Sequence, residues 1–133
     1  MVNQVSFDGR RYPATAWLGC RVQVIVDRPL GHPHPRLGFL YTLNYGHLVD
    51  AFSDDGSELD AYVVGIDYPI GRITGWCIGL IHRRNDREDK LVVSAVRRAY
   101  SAAEIAAAVD HHERFFDYRV LVVTFRDTDC IYG

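Results

Sequence analysis

The residues most able to do chemistry in this 133-residue chain are carboxylates, and they cluster. Asp54, Asp55, Glu58 and Asp60 fall within seven positions, bent in the middle by Gly56-Ser57 and followed by the apolar run from Ala61 to Val64. An Asp-Gly step is a turn signal, and an acidic turn taken alone is most simply a solvated loop. Leu59, apolar between carboxylates, argues that the segment is docked. Asp55 and Asp60 bracket the turn, so their side chains can converge. Converging carboxylates repel unless a cation lies between them, and hard oxygen donors suit Mg²⁺, Mn²⁺ or Ca²⁺ better than zinc.

A second charged group, HRRNDREDK, ends at Lys90, the only lysine beside fourteen arginines. If residues 88–93 are extended, Glu88 and Lys90 share a face and Asp89 points away. A carboxylate beside an ammonium suits a metal-bound phosphate: the acid holds the cation and the ammonium holds a phosphoryl oxygen. Taken by itself this group, with Asp86 at the tip, reads first as a solvated hairpin end of mixed charge. Arg36, Tyr41 and Tyr45 form a third group, since guanidinium and phenol are natural phosphate donors. His32 and His34, flanked by proline, read as exposed loop residues. His111 and His112 are adjacent on a helix, cannot both face one site, and read as structural.

These residues need a scaffold. The length favours one domain, 1–133, with residues 1–20 as an N-terminal arm. The composition, 48% hydrophobic and 24% charged, is that of an ordinary globular protein. Strands are expected at Val22–Val26, Ala61–Ile66, Ile73–Ile81, Lys90–Ala95 and Tyr118–Phe125, with a short extended piece at Leu37–Tyr41 and a turn at Asn44-Tyr45-Gly46. The segment 29–36 carries Pro29, Pro33 and Pro35 and can be neither helix nor central strand. Ser101 with Glu104 three positions on forms a capping box that opens a helix over about 102–116. Five or six short strands and one helix predict a mainly β (α+β) fold, a small curved barrel rather than a βαβ sheet.

A net charge of −2 gives no support to bulk nucleic-acid binding. No apolar run approaches the roughly 20 residues of a membrane helix, and the N-terminus lacks signal-peptide regions. Cys20, Cys77 and Cys130, odd in number and far apart, argue against a disulfide framework and favour the cytoplasm.

The ordered set NYG, DGSELDAYVV and EDKLVV resembles the soluble inorganic pyrophosphatases of family I, over about Val22 to Phe116. The resemblance implies a closed five-stranded OB-like barrel with a C-terminal helix packed outside. It implies Mg²⁺-dependent hydrolysis of pyrophosphate, or of a small organic phosphate or diphosphate, and a homo-oligomer. It makes Asp55, Asp60, Asp86 and Glu88 metal ligands. Asp55, Asp60, Lys90, Tyr45 and Tyr41 become the catalytic set, and Arg28, Arg36, Tyr41 and Lys90 the substrate-binding one. The chain departs from the pattern at Ser57, where the family carries the aspartate that helps deprotonate the attacking water. Asp54 or Glu58 would have to substitute. A hairpin that carries Lys and Glu in the family is compressed here to DRPLGHPHPRLGF, and the helical Tyr-Lys has no clear match, Phe115-Phe116 falling near it. The alternative reading keeps the fold without hydrolysis: a pocket that binds a small metabolite or serves another reaction in a specialised biosynthetic pathway.

Overall fold

The computed structural model describes residues 14–52, 56–86 and 88–125, without the side chain of Asp50. Six strands and one α-helix follow a 3₁₀ turn at Ala14–Trp17. They are β1 (Arg21–Arg28), β2 (Asn44–Phe52), β3 (Glu58–Val64), β4 (Arg72–Arg83), β5 (Asp89–Ser94), α1 (Ala102–Glu113) and β6 (Tyr118–Val122). The sheet runs β1-β2-β3-β5-β4-β6, and β1 also pairs with β4. That extra pairing closes five strands into a barrel, which removes exposed edges from all of them. Every pair is antiparallel except β3 and β5. The expected five-stranded mainly β barrel with a helix outside is therefore what the chain forms.

β4 is long enough to have two partners on one edge. Its first half, Arg72 to Trp76, pairs with β1, and its second half, Gly79 to Arg83, pairs with β6. The change coincides with a register shift between Cys77 and Gly79, where a bulge bends the strand. Gly79 lets α1 and β6 approach the bend closely: a Cβ there would lie 2.6 Å from Ile105 Cδ1 of α1 and 3.1 Å from the Leu121 carbonyl oxygen.

Alternation sorts the core. Val22, Val24 and Val26 of β1, with Ala61, Val63, Leu91 and Val93, join one buried cluster. Tyr62, Val64, Ile78, Ile81 and Val92 join a second cluster that holds Ile105 and Val109 of α1. The pleat therefore points successive residues of β3 to opposite faces, one into the barrel and one toward the helix. Burial on both faces explains why Ala61 to Val64 is an unbroken apolar run rather than an alternating one. The helix begins where the capping box places it. Ser101 Oγ accepts from Glu104 N, and Glu104 Oε1 accepts from Ser101 N. It ends at Glu113, three residues before the expected limit.

Three expectations need correction. The Asn44-Tyr45-Gly46 segment is no turn but the start of β2, a strand that turn-forming residue types conceal. Asn44 is fully buried because three backbone groups satisfy its amide: Oδ1 accepts from Leu30 N and Ile70 N, and Nδ2 donates to the Tyr68 carbonyl. Gly46 is there because β1 crosses too closely for a side chain, with a Cβ at 1.8 Å from the Ile25 carbonyl oxygen. Leu37–Tyr41 is not a strand; Leu40 makes only an isolated bridge to Pro33. Finally, the cysteines are not all unpaired. Cys20 is disulfide-bonded, while Cys77 is free and buried. Sequence separation does not forbid a bridge when the fold brings two Cα atoms close, and the argument from cysteine usage for the cytoplasm loses its force. Among the described residues no helix is long and apolar enough to cross a membrane.

Replacing Gly46 by Ala should therefore be severe, with a loss of about 4 kcal/mol or more, because the obstruction is backbone that cannot rotate away. Urea unfolding of Gly46→Ala checks this; a midpoint within error of wild type would show that β1 and β2 are not in this contact.

Candidate active site

The parallel β3–β5 pair places Asp60 directly beside Lys90, and on the other side of β3 Tyr45 lies opposite Tyr62. On the outer face of the barrel Lys90 Nζ donates to Asp60 Oδ2 at 2.6 Å and to Glu88 Oε1 at 2.7 Å. Its side chain is only 5% exposed. Burial opposes the ammonium, but Tyr45, Asp60 and Glu88 outweigh it and raise the Lys90 pKa above its ordinary value, so the group is charged. Burial drives the Tyr45 phenol in the same upward direction, so it stays protonated.

A pocket of about 490 Å³ opens above this pair. Arg28, Arg36, Tyr45, Asp60, Asp86, Glu88 and Lys90, all singled out in the sequence, line it. Tyr41 stands just behind: it is buried, stacks on Tyr45 at 5.3 Å, and its hydroxyl accepts from Arg28 Nη1 at 3.2 Å. That bond raises the Arg28 pKa. Asp89 turns away as expected, to His82 Nδ1 at 2.7 Å. Asp55 and Asp54 lie outside the described residues. Glu58 does not reach the pocket lining; its carboxylate sits 3.3 Å from His47 Nε2, whose Nδ1 meets Asp27.

The sequence reading missed a second polar core beside the pocket. Arg83 is buried and makes a two-pronged ion pair with fully buried Glu113 at the end of α1, through Nε to Oε1 at 2.9 Å and Nη2 to Oε2 at 2.7 Å. Its Nη1 reaches Asp86 Oδ2 at 3.3 Å. Burial opposes the guanidinium charge, and Glu113 more than compensates, leaving the pKa raised. Tyr62 donates to Glu113 Oε2 at 2.6 Å and also lies 2.7 Å from His112 Nδ1. One hydroxyl proton cannot serve both, so His112 carries its proton on Nδ1 and donates to Tyr62. Nε2 is then the acceptor that faces Arg83 Nη2 at 3.4 Å.

His112 thus lines the pocket and is not merely structural, whereas His111 turns to Thr42. Burial, with repulsion from Arg83 and Lys90, pushes the His112 imidazole down to about 3. His34 also lines the pocket. Its Nδ1 accepts the backbone N–H groups of Arg36 and Leu37, which fixes the loop and puts its own proton on Nε2. The only sequence signal for the Arg83 core was an arginine and a glutamate at the ends of two elements, indistinguishable there from surface charges.

Of the expected metal set Asp55 lies outside the described residues, and among the described residues no group of three His, Cys, Asp or Glu gathers. Asp60 and Glu88 converge on the Lys90 ammonium, and Asp86 turns to Arg83. Buried or crowded carboxylates take the cation within reach, and the chain supplies two. The donors nevertheless fit a hard cation. Two carboxylate oxygens aim at one point that already holds a positive charge, which is the donor chemistry a hard cation takes.

No family profile matches the sequence, and no curated protein matches it. The architecture does match. An inorganic pyrophosphatase from Ehrlichia chaffeensis superposes with a TM-score of 0.62 at 12% identity, over 84% of this chain and 92% of that one. The fold is the inorganic pyrophosphatase fold. The enzyme from Neisseria gonorrhoeae follows at a TM-score of 0.53 and 19% identity, covering 90% of this chain and 88% of its own. That from Thermus thermophilus gives 0.54 at 18% identity, covering 84% and 90%.

Because its folded pKa is depressed, His112 should stay neutral well below the ordinary histidine range. The unfolded chain takes up that proton below about pH 6.5, so the group withdraws up to about 1.4 kcal/mol of stability per pH unit as pH falls below 6.5 toward its folded value. Its ¹⁵N ring shifts should be unchanged from pH 8 to pH 5; a titration midpoint near 6.5 would contradict the buried Tyr62–Glu113–Arg83 arrangement.

Proposed function

We propose that the pocket binds a small phosphorylated substrate, pyrophosphate or an organic phosphate or diphosphate, and hydrolyses it with the help of Mg²⁺. One observation carries this reading: Lys90 is held, charged and nearly buried, at the point where Asp60 and Glu88 converge, on a wall it shares with Arg28, Arg36 and Tyr45. The pyrophosphatase fold supports it.

Asp60 and Glu88, with Asp55, would hold the cation. When bound, it supplies a Lewis acid that neutralises phosphate charge and makes water more acidic. The chain's own groups do the rest. Lys90 donates from its ammonium to a phosphoryl oxygen once its carboxylates are otherwise occupied. Tyr45, protonated throughout, donates from its hydroxyl, and Arg28 and Arg36 bind peripheral oxygens. Holding these donors rigidly against buried aromatic rings means little reorganisation as charge moves to the leaving phosphate.

Ser57 favours a second reading, in which the pocket binds the same class of anion without hydrolysing it. A hydroxyl cannot accept a proton from water as a carboxylate does, and Glu58, the nearest described substitute, is engaged with His47.

Phosphate release from pyrophosphate separates the two. Under the hydrolytic reading wild type turns over only with Mg²⁺ and Asp60→Asn loses about 100-fold or more while remaining folded by circular dichroism. Unchanged turnover in Asp60→Asn would remove Asp60 from the site. A silent wild type with activity gained in Ser57→Asp would establish the binding reading instead.

A further inference from the structure

The pocket lining combines two kinds of group. Lys90, Arg28 and Arg36 supply cationic donors among the carboxylates Asp27, Asp60, Asp86 and Glu88. Next to them runs a contiguous surface of rings and aliphatic carbon. His34 and His112 meet edge to face at 5.2 Å, and Phe116 follows at 5.8 Å from His112. Pro35 and the exposed Leu37 extend the same wall, on a loop that the two hydrogen bonds to His34 Nδ1 hold in place. Arg83 adds no free charge to this surface. Two of its three nitrogens are committed to Glu113, and its guanidinium lies 3.6 Å over the Phe116 ring. The imidazoles offer neutral faces rather than cations, since burial and the neighbouring arginines and Lys90 hold both below the usual histidine range.

Such a wall is a poor surface for pyrophosphate. That ion presents oxygen on every side, and pressing oxyanions against rings and aliphatic carbon strips their water without a donor in return. The wall suits a substrate that carries its charge at one end only. The volume, about 490 Å³, is in the range of small-molecule sites of roughly 300–1,000 Å³.

We infer that the ligand is a phosphate ester of an apolar or aromatic alcohol, whose phosphate faces Lys90 and Arg28 and whose apolar body lies along His112, Phe116 and Leu37. This rests on the phosphate-binding reading of the pocket and narrows its substrate class.

Calorimetric titration of the full chain with inorganic phosphate, pyrophosphate and phenyl phosphate, each with Mg²⁺, tests it. Phenyl phosphate should bind at least about tenfold more tightly than inorganic phosphate. The ratio of the two affinities should fall severalfold in Leu37→Ser, which changes an exposed loop side chain and leaves the barrel core alone, and again in Phe116→Ala. Phenyl phosphate binding no better than inorganic phosphate, or a ratio untouched in Leu37→Ser, would overturn the inference while phosphate and pyrophosphate binding left the broader reading standing. Failure of all three ligands to bind would overturn both.

Discussion

A single buried ammonium organises this molecule's outer face. Lys90, the chain's one lysine, sits on β5 beside Asp60 of β3 and is reached by Glu88 from the preceding loop. A charge at that depth is tolerable only because two carboxylates and a phenol surround it. The parallel pairing of β3 and β5 fixes the register that makes Asp60 and Lys90 neighbours, and a slip of either strand by one residue would send its member of the pair to the opposite face. The barrel, closed through β1 and β4, exists in this sense to hold that register.

The second constraint is the Arg83–Glu113 pair. It ties the end of α1 to the end of β4, so the helix cannot slide along the barrel without breaking a buried two-pronged bond. Tyr62 and His112 complete the network, and each of their hydrogen bonds has a defined direction. The consequence for the pocket is a lining of paired charges. Lys90 is matched by Asp60 and Glu88, while Arg83, next to the rings of His112 and Phe116, is matched by Glu113 and Asp86. The same network therefore stabilises the fold and sets the polarity of the cavity.

How much of this was legible in the sequence depended on whether the signal was local. The capping box at Ser101 and Glu104 was, because it involves four consecutive residues. The strands at Val22–Val26 and from Ala61 were, because a β-branched or unbroken apolar run is local too. The β2 strand was not. Asn44 and Gly46 look like turn residues, and only the backbone groups of Leu30, Tyr68, Ile70 and Ile25, all far along the chain, explain them. The site divides in the same way. Asp60, Glu88, Lys90, Tyr41 and Tyr45 could be gathered through their likeness to an ordered motif. Arg83, Glu113 and His112 belong to no motif, and adjacency to His111 shows only that the two imidazoles cannot face one site, not which of them reaches the pocket. The carboxylates Asp60, Asp86 and Glu88 were legible as a group, but the lysine and arginine that the fold turns toward them were not, because Lys90 and Arg83 meet them only through strand pairing and packing.

The most direct test of the central claim is a crystal structure of the protein grown with Mg²⁺ and inorganic phosphate. The account predicts a cation held by Asp60 and Glu88, with Lys90 Nζ moved off those carboxylates onto a phosphate oxygen and Arg28 on the same anion. An unchanged Asp60–Lys90–Glu88 triad, with Mg²⁺ and phosphate bound elsewhere or not at all, would contradict it.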